Sequence, residues 1–309
     1  MRRFLRKLIK PLFFIVFITL AIQGGFSVWN SAALRSLKAS VLSGNNTADQ
    51  SLVASFVHDA DTDGLSNAKE IIFGTDGLNA DTDLDGYKDG DEVENGYDPT
   101  LTGSARIEDN IALMSNLTVT YFMWEAKKTG DKDPRLNEDE IDAFLTERDL
   151  ATFKAPAISD QEIISSPNNG TEAVKNYLNE FSQIQLPAET ASYLDVAQSV
   201  IQEQKKDVVE GIIAGITQTE QHVRNLPTPQ EAKGLQKGYL ALFKGLRELF
   251  ADLYDIERDP VKLMRDVRWG GDLIQEGARL ERLRLDLVAQ YAPASAPAPT
   301  ATQPEQTTQ

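Results

Sequence analysis

Two stretches of this chain carry the same acids and the same glycine in the same register, and that repetition constrains the fold more than any other feature. Asp59, Asp61, Asp63, Gly64 and Leu65 align with Asp81, Asp83, Asp85, Gly86 and Tyr87 at a spacing of 22 residues. Further along, Asn67 meets Asp89, Glu70 meets Glu92, Ile71 meets Val93, Gly74 meets Gly96 and Asp76 meets Asp98. Matching in a fixed register marks one structural unit used twice. The unit is also heavily charged. Between residues 59 and 98 there are thirteen Asp or Glu against two Lys, a local balance of −11 within a net charge of −16. So dense an excess repels itself unless cations neutralise it.

Each loop is built for a hard cation. Calcium takes six to eight oxygens, so carboxylates must converge from a flexible segment. Residues 59–70 fit the pattern Asp-x-Asp-x-Asp-Gly-x5-Glu at every specified place. Asp59, Asp61 and Asp63 supply side-chain oxygens, and Gly64 takes the positive φ of the sharp turn. Leu65 offers its carbonyl, Asn67 a direct or water-mediated contact, and Glu70 a two-oxygen clasp. In residues 81–92 the same roles fall to Asp81, Asp83, Asp85, the Tyr87 carbonyl, Asp89 and Glu92. The expectation is two calcium ions. Asp76 and Asp98 either join a site or cap a turn.

The spacing decides the kind of module. Paired helix–loop–helix units start their loops about 35 residues apart, whereas these start 22 apart. Only one short helix fits between them. Residues 59–102 therefore resemble the thrombospondin type 3 repeats and related bacterial EF-hand-like calcium modules, though Gly77 stands where those repeats often carry Pro. The resemblance implies a compact, metal-dependent structural or spacer element on a cell surface. The whole layout is similar to that of surface proteins of small-genome bacteria, a likeness that assigns no activity.

The N-terminus addresses a membrane. Residues 1–10 hold Arg2, Arg3, Arg6, Lys7 and Lys10 and no acid, and residues 11–29 hold no charge. That run spans roughly 28 Å as a helix, close to a bilayer's hydrocarbon thickness. The basic flank stays cytoplasmic, so the rest faces outward. A retained anchor over residues 1–30 is preferred to a signal peptide cut after Ala33, because that cut lies far beyond the apolar core.

Beyond a polar spacer (residues 31–58) and the repeats, the apolar period turns helical. Ile107, Ile111, Met114, Leu117 and Tyr121 trace one helix face that Gly130 ends. Asn137 caps a short helix, with Glu140 completing a capping box. Residues 103–155 read as a helical hairpin and 156–291 as a helical bundle. In the bundle one helix buries Val174, Tyr177, Leu178 and Phe181. A long helix after Pro187 carries Leu194, Ala197, Ile201, Val208, Ile212 and Ile216. Thr228 caps the next helix, with Pro229 first and Glu231 closing the box. Asp259 and Pro260 open the last one, which Gly270 and Gly271 can kink. Residues 292–309, rich in Pro, Ala, Thr and Gln, lack the apolar bulk to fold. The fold class is mainly α: a transmembrane helix, two tandem calcium loops and an all-helical extracytoplasmic domain.

Other chemistry is thin. With no cysteine, disulfides, zinc–thiolate sites and thiol catalysis are excluded. The acidic balance argues against nucleic acid. The acids at Asp131, Asp133, Glu138, Asp139, Glu140 and Asp142 lack the loop glycine and read as a solvated loop and helix start. His58 and His222 have no partner cluster. No catalytic motif is present, so an enzyme is not expected. The leading expectation is a membrane-anchored extracytoplasmic structural or interaction protein, in which calcium rigidifies a stalk presenting the helical domain to a protein partner. A calcium sensor is the alternative, and a cell-envelope hydrolase a distant third.

Overall fold

The two repeats each form a short helix closed by the glycine that the register aligned. The structure, a computed structural model, describes residues 58–184, positions 193, 196, 197, 199 and 200, and residues 205–291. The expected anchor, nearly all of the spacer and the tail lie outside these. Helix α1 (Asn67–Phe73) starts on Ser66, whose hydroxyl accepts the Lys69 amide, and stops at Gly74 with φ 85°. Helix α2 (Asp89–Asn95) stops at Gly96 with φ 76°. Both glycines occupy the left-handed region that a side chain would strain.

The segment expected to be one helix from Ile107 to Tyr121 is instead broken twice. A 3₁₀ turn (Ile107–Asp109) leads to α3 (Ile111–Met114) and then α4 (Leu117–Thr129). Two asparagines make the breaks. Asn110 Oδ1 accepts the amides of Ala112 and Leu113, and Asn116 Oδ1 accepts those of Thr118 and Val119. An Asn side chain that satisfies backbone amides competes with helix continuation and starts a new helix. Ile111, read as part of a buried face, is 85% exposed as a result. Gly130 ends α4 as expected, at φ 75°.

Asn137 caps α5 (Glu138–Glu147), accepting the amides of Asp139 and Glu140. The capping box does not close there, because the Glu140 carboxylate pairs with Lys128 on α4. Helix α6 (Thr171–Phe181) buries the four expected residues, Val174, Tyr177, Leu178 and Phe181.

The described positions from 193 to 200 are helical, but Lys205 is not, and α7 (Lys206–Arg224) begins afresh. The expected long helix is therefore interrupted before Val208; Leu194 and Ile201 lie outside the described residues. The next start is also different. Pro229 is extended and precedes a 3₁₀ turn (Gln230–Ala232) that leads into α8 (Lys233–Ala251). The cap comes from a loop far away in sequence: Asn169 Oδ1 accepts the Gln230 amide, and Glu231 accepts the Gly170 amide. Thr228 is instead bridged to the 164–166 segment, its amide donating to the Ile164 carbonyl. Helix α9 (Pro260–Tyr291) runs unbroken through Gly270 and Gly271.

Among the described residues the architecture is helical, without strands, and two apolar cores organise it. The larger joins α6, α7, α8 and most of α9, with α8 packed along both α7 and α9. Gly238 permits that contact, since a Cβ there would overlap Leu280. The smaller core brings Leu65, Ile72 and Phe73 of the first repeat against Val119, Tyr121 and Phe122 of α4, Ile141 and Phe144 of α5, and Val261 and Met264 of α9. The repeat pair is thus not set apart from the helical part. It shares a core with it, and α9 belongs to both cores.

Candidate metal centre

The first loop closes on its own backbone. Asp59 Oδ1 accepts the Thr62 amide at 2.7 Å and Oδ2 accepts that of Gly64 at 3.0 Å. Gly64 sits at φ 101° and its counterpart Gly86 at φ 96°. The second loop repeats the arrangement, with Asp81 Oδ2 accepting the Gly86 amide at 2.9 Å. At the ninth position Asn67 Oδ1 accepts the Ala60 amide, while Asp89 accepts both the amide and the hydroxyl of Thr82. Position nine thus ties each loop's end to its second residue. The Leu65 side chain is buried in the smaller core, whereas Tyr87 is 66% exposed.

These turns gather carboxylates. Asp59, Asp61 and Asp63 bring one oxygen each to within 4.8 Å of one another, and so do Asp81, Asp83 and Asp85. A third group crosses the repeats: Asp63 and Glu70 of the first loop with Asp89 of the second, all buried. Sequence register places Asp89 in the second loop alone, and only the folded contact reveals its reach into the first. The two loops approach closely at Gly90, whose amide donates to Asp63 Oδ2 at 2.9 Å. A Cβ there would lie 2.5 Å from the Asp63 carbonyl oxygen. Lys88 spans the same boundary and donates to the Thr62 carbonyl. On the far side, Gly103 donates its amide to Asp85 Oδ2 at 2.7 Å. None of these glycine contacts was legible beforehand, although a glycine at 90, immediately after the ninth loop position, was the available signal.

Glu70 is the centre's most informative residue. It is 1% exposed, and neither carboxylate oxygen has a hydrogen-bond partner. Burial, then the charges of Asp61, Asp63, Asp89 and Asp59, push its carboxyl up to about 7. Glu92 matches it: 4% exposed, with Oε2 unpartnered and its carboxyl also pushed to about 7, by burial and then by Asp83, Asp85, Asp89 and Asp81. Asp83 Oδ2 is likewise buried without a partner. Buried polar oxygens without partners are costly, and here they converge. Gly77 faces this cluster, and a Cβ there would lie 2.6 Å from Glu70 Oε2.

Asp76 and Asp98 cap turns. Asp76 Oδ1 accepts the Leu78 amide. Asp98 is fully buried, accepts the amide and hydroxyl of Thr100, and takes Asn110 Nδ2 on its other oxygen. Asp131 and Asp133 lie in an exposed loop, where Asp133 pairs with Lys69. His58 and His222 are exposed, and the His58 carbonyl accepts the Asn67 amide.

Comparison with family models, with curated proteins and with solved structures returned no match. The reading of this centre therefore rests on its own chemistry. Its donor set is oxygen only, carboxylate-rich and arranged on turns, which suits calcium rather than zinc or copper.

Proposed function

We propose that this protein is a membrane-anchored, extracytoplasmic calcium-binding structural or interaction protein. Calcium at its two loops braces the repeat pair against the helical body, and that body meets a protein partner. The observation that carries the reading is Glu70. A carboxylate so buried, with both oxygens unpartnered and two further acids, Asp63 and Asp89, beside it, is stabilised once a divalent cation accepts those oxygens. The first ion would be held by Asp59, Asp61, Asp63, Glu70 and the Leu65 carbonyl, the second by Asp81, Asp83, Asp85, Glu92 and the Tyr87 carbonyl. Asn67 and Asp89 close the loops.

Because Leu65, Ile72 and Phe73 sit in a core shared with α4, α5 and α9, the ions act as a clasp on the helical body as much as a stiffener of a stalk. Extracellular modules of this kind bind at about 10⁻⁴ to 10⁻³ M, so the sites would be filled outside a cell. The anchor and outward orientation rest on the basic flank and the charge-free run of residues 11–29. No catalytic role is proposed.

A calcium sensor is the second reading. A groove of about 930 Å³ between α2 and α4, with Val93, Met123 and Trp124 among its lining residues, is the observation that favours it. One experiment addresses both. Full-length protein in detergent is dialysed against millimolar calcium, and its circular dichroism is followed during titration. Two bound ions with ordering confined to the repeat supports the brace, whereas a large structural change at ambient calcium supports the sensor. Protein that emerges without calcium sinks both.

A further inference from the structure

Large apolar side chains are exposed where the metal chemistry is. Of eight large apolar residues exposed among the described ones, four gather at the second loop, Leu78 at 82%, Leu84 at 78%, Tyr87 at 66% and Leu101 at 48%, while Ile71, Ile111, Ile164 and Leu285 lie elsewhere. Leu84 and Tyr87 belong to the second loop. Leu78 is in a turn bound to that loop by the Asn79 side chain, which donates to the Asp81 carbonyl at 2.8 Å. Leu101 lies two residues from Gly103, whose amide donates to Asp85. Four apolar side chains thus stand on or beside one acidic loop, and none contributes to either core.

Leu84 is the most telling. It stands where the first loop carries Thr62, and the two share a left-handed backbone at φ 63° and 62° that the loop itself sets; only the second loop puts a large apolar side chain there, 78% exposed. Position by position, the first loop buries Asp63 and Leu65, whereas their counterparts in the second, Asp85 and Tyr87, are half-buried and exposed, with Asp81 and Asp83 half-buried beside them. An ion held at the second loop would therefore have its leading acids nearer solvent.

We propose, resting on the calcium reading above, that the loaded second loop docks on a phospholipid surface. Leu84 and Tyr87 enter the headgroup region, and lipid phosphate oxygens complete the shell of the ion held by Asp81, Asp83 and Asp85. Calcium is required because acids at this density repel headgroup phosphates until an ion bridges them. Leucine with tyrosine suits an interface that is apolar on one side and wet on the other. The chain's own layout selects lipid over a soluble partner. Residues 1–57 join the described part at His58, next to Asp59, so about 28 residues separate the charge-free run from the loops. Such a tether reaches no more than roughly 100 Å, which keeps the loops at high effective concentration near a bilayer.

The absence of native cysteine gives a clean test. Full-length Leu84→Cys, Tyr87→Cys and, as a control on exposed α7, Gln221→Cys are labelled with an environment-sensitive fluorophore. They are incorporated into vesicles of phosphatidylcholine with one-fifth phosphatidylglycerol. Calcium should move the 84 and 87 probes to an apolar environment, chelator should reverse it, and the 221 probe should stay constant. Bound calcium is measured by dialysis on the same vesicles and counted per protein after subtracting protein-free vesicles, whose anionic headgroups bind calcium themselves. Calcium bound without a probe shift overturns the docking, and no bound calcium overturns the underlying reading instead. A shift that grows with protein density at fixed lipid would mean contact between copies, and also overturns it.

Discussion

Thr118 and Asp259 cap each other's helices. The Asp259 carboxylate accepts the amides of Leu117 at 2.8 Å and Thr118 at 2.9 Å, which start α4. The Thr118 hydroxyl donates to Asp259 at 2.8 Å and accepts the Val261 amide of α9 at 3.0 Å. Both side chains are buried. This exchange locks the helix that follows the repeats to the helix that runs through both cores.

Asp259→Ala should therefore destabilise the protein by about 1–3 kcal/mol, since a lost cap costs about 0.5–2 kcal/mol and the Thr118 hydroxyl loses its acceptor too, while the Thr118 amide keeps Asn116 Oδ1. Thermal unfolding in excess calcium reads it. Adding Thr118→Val to that variant should cost less than the sum of the two single changes, because the residues act as one unit.

Glu70→Gln and Glu92→Gln should each remove one of two bound calcium ions, leaving the other. Each substitution keeps the side chain's size and withdraws the charge that the buried cluster offers a cation. Equilibrium dialysis measures the stoichiometry. Two ions retained by both variants would refute their role as ligands.

Gly90→Ala should weaken calcium binding at the first loop although residue 90 belongs to the second. Its Cβ would press on the Asp63 carbonyl and draw the Gly90 amide away from Asp63 Oδ2. Gly103→Ala has open space around its Cβ and should tax only its positive φ. Comparing the calcium titrations of the two variants separates loop contact from local strain.

Without calcium, stability should fall as pH rises. The Glu70 and Glu92 carboxyls sit at about 7 in the folded chain against an ordinary 4.5. A raised folded value means that the fold binds protons the unfolded chain has released. That stabilisation is full below about pH 4.5 and is lost as pH rises through about 7. In chelator, the melting temperature should drop from pH 6 to pH 8. In excess calcium the drop should vanish, with protons released on binding near pH 6.5. Calorimetry in buffers of different ionisation enthalpy detects that release.

Arg284→Met should cost about 3–5 kcal/mol, because it strands the buried Glu281 carboxylate that Arg284 grips at 2.6 and 2.7 Å. Pairing it with Glu281→Leu should restore much of the loss, as denaturant unfolding would show.

The local parts of this protein were legible in its residues. Repeated acids and glycines set the two loops, because a turn with positive φ and carboxylates accepting nearby amides involves only a dozen neighbouring residues. Gly74, Gly96 and Gly130 end helices for the same local reason, and the apolar face of α6 was read correctly from its period. Folding decided what depends on which elements meet. Asn169 rather than Thr228 capped the turn before α8, whereas the Asn110 and Asn116 caps that broke the expected helix were local and were passed over because apolar spacing alone would continue it. Asp89 crossed into the first loop only because Gly90 lets two backbones touch. The Asn169–Gln230 and Asp63–Gly90 pairings join residues 61 and 27 positions apart. A one-dimensional pattern fixes each partner's chemistry, but its neighbour is set by the packing of helices around a shared core.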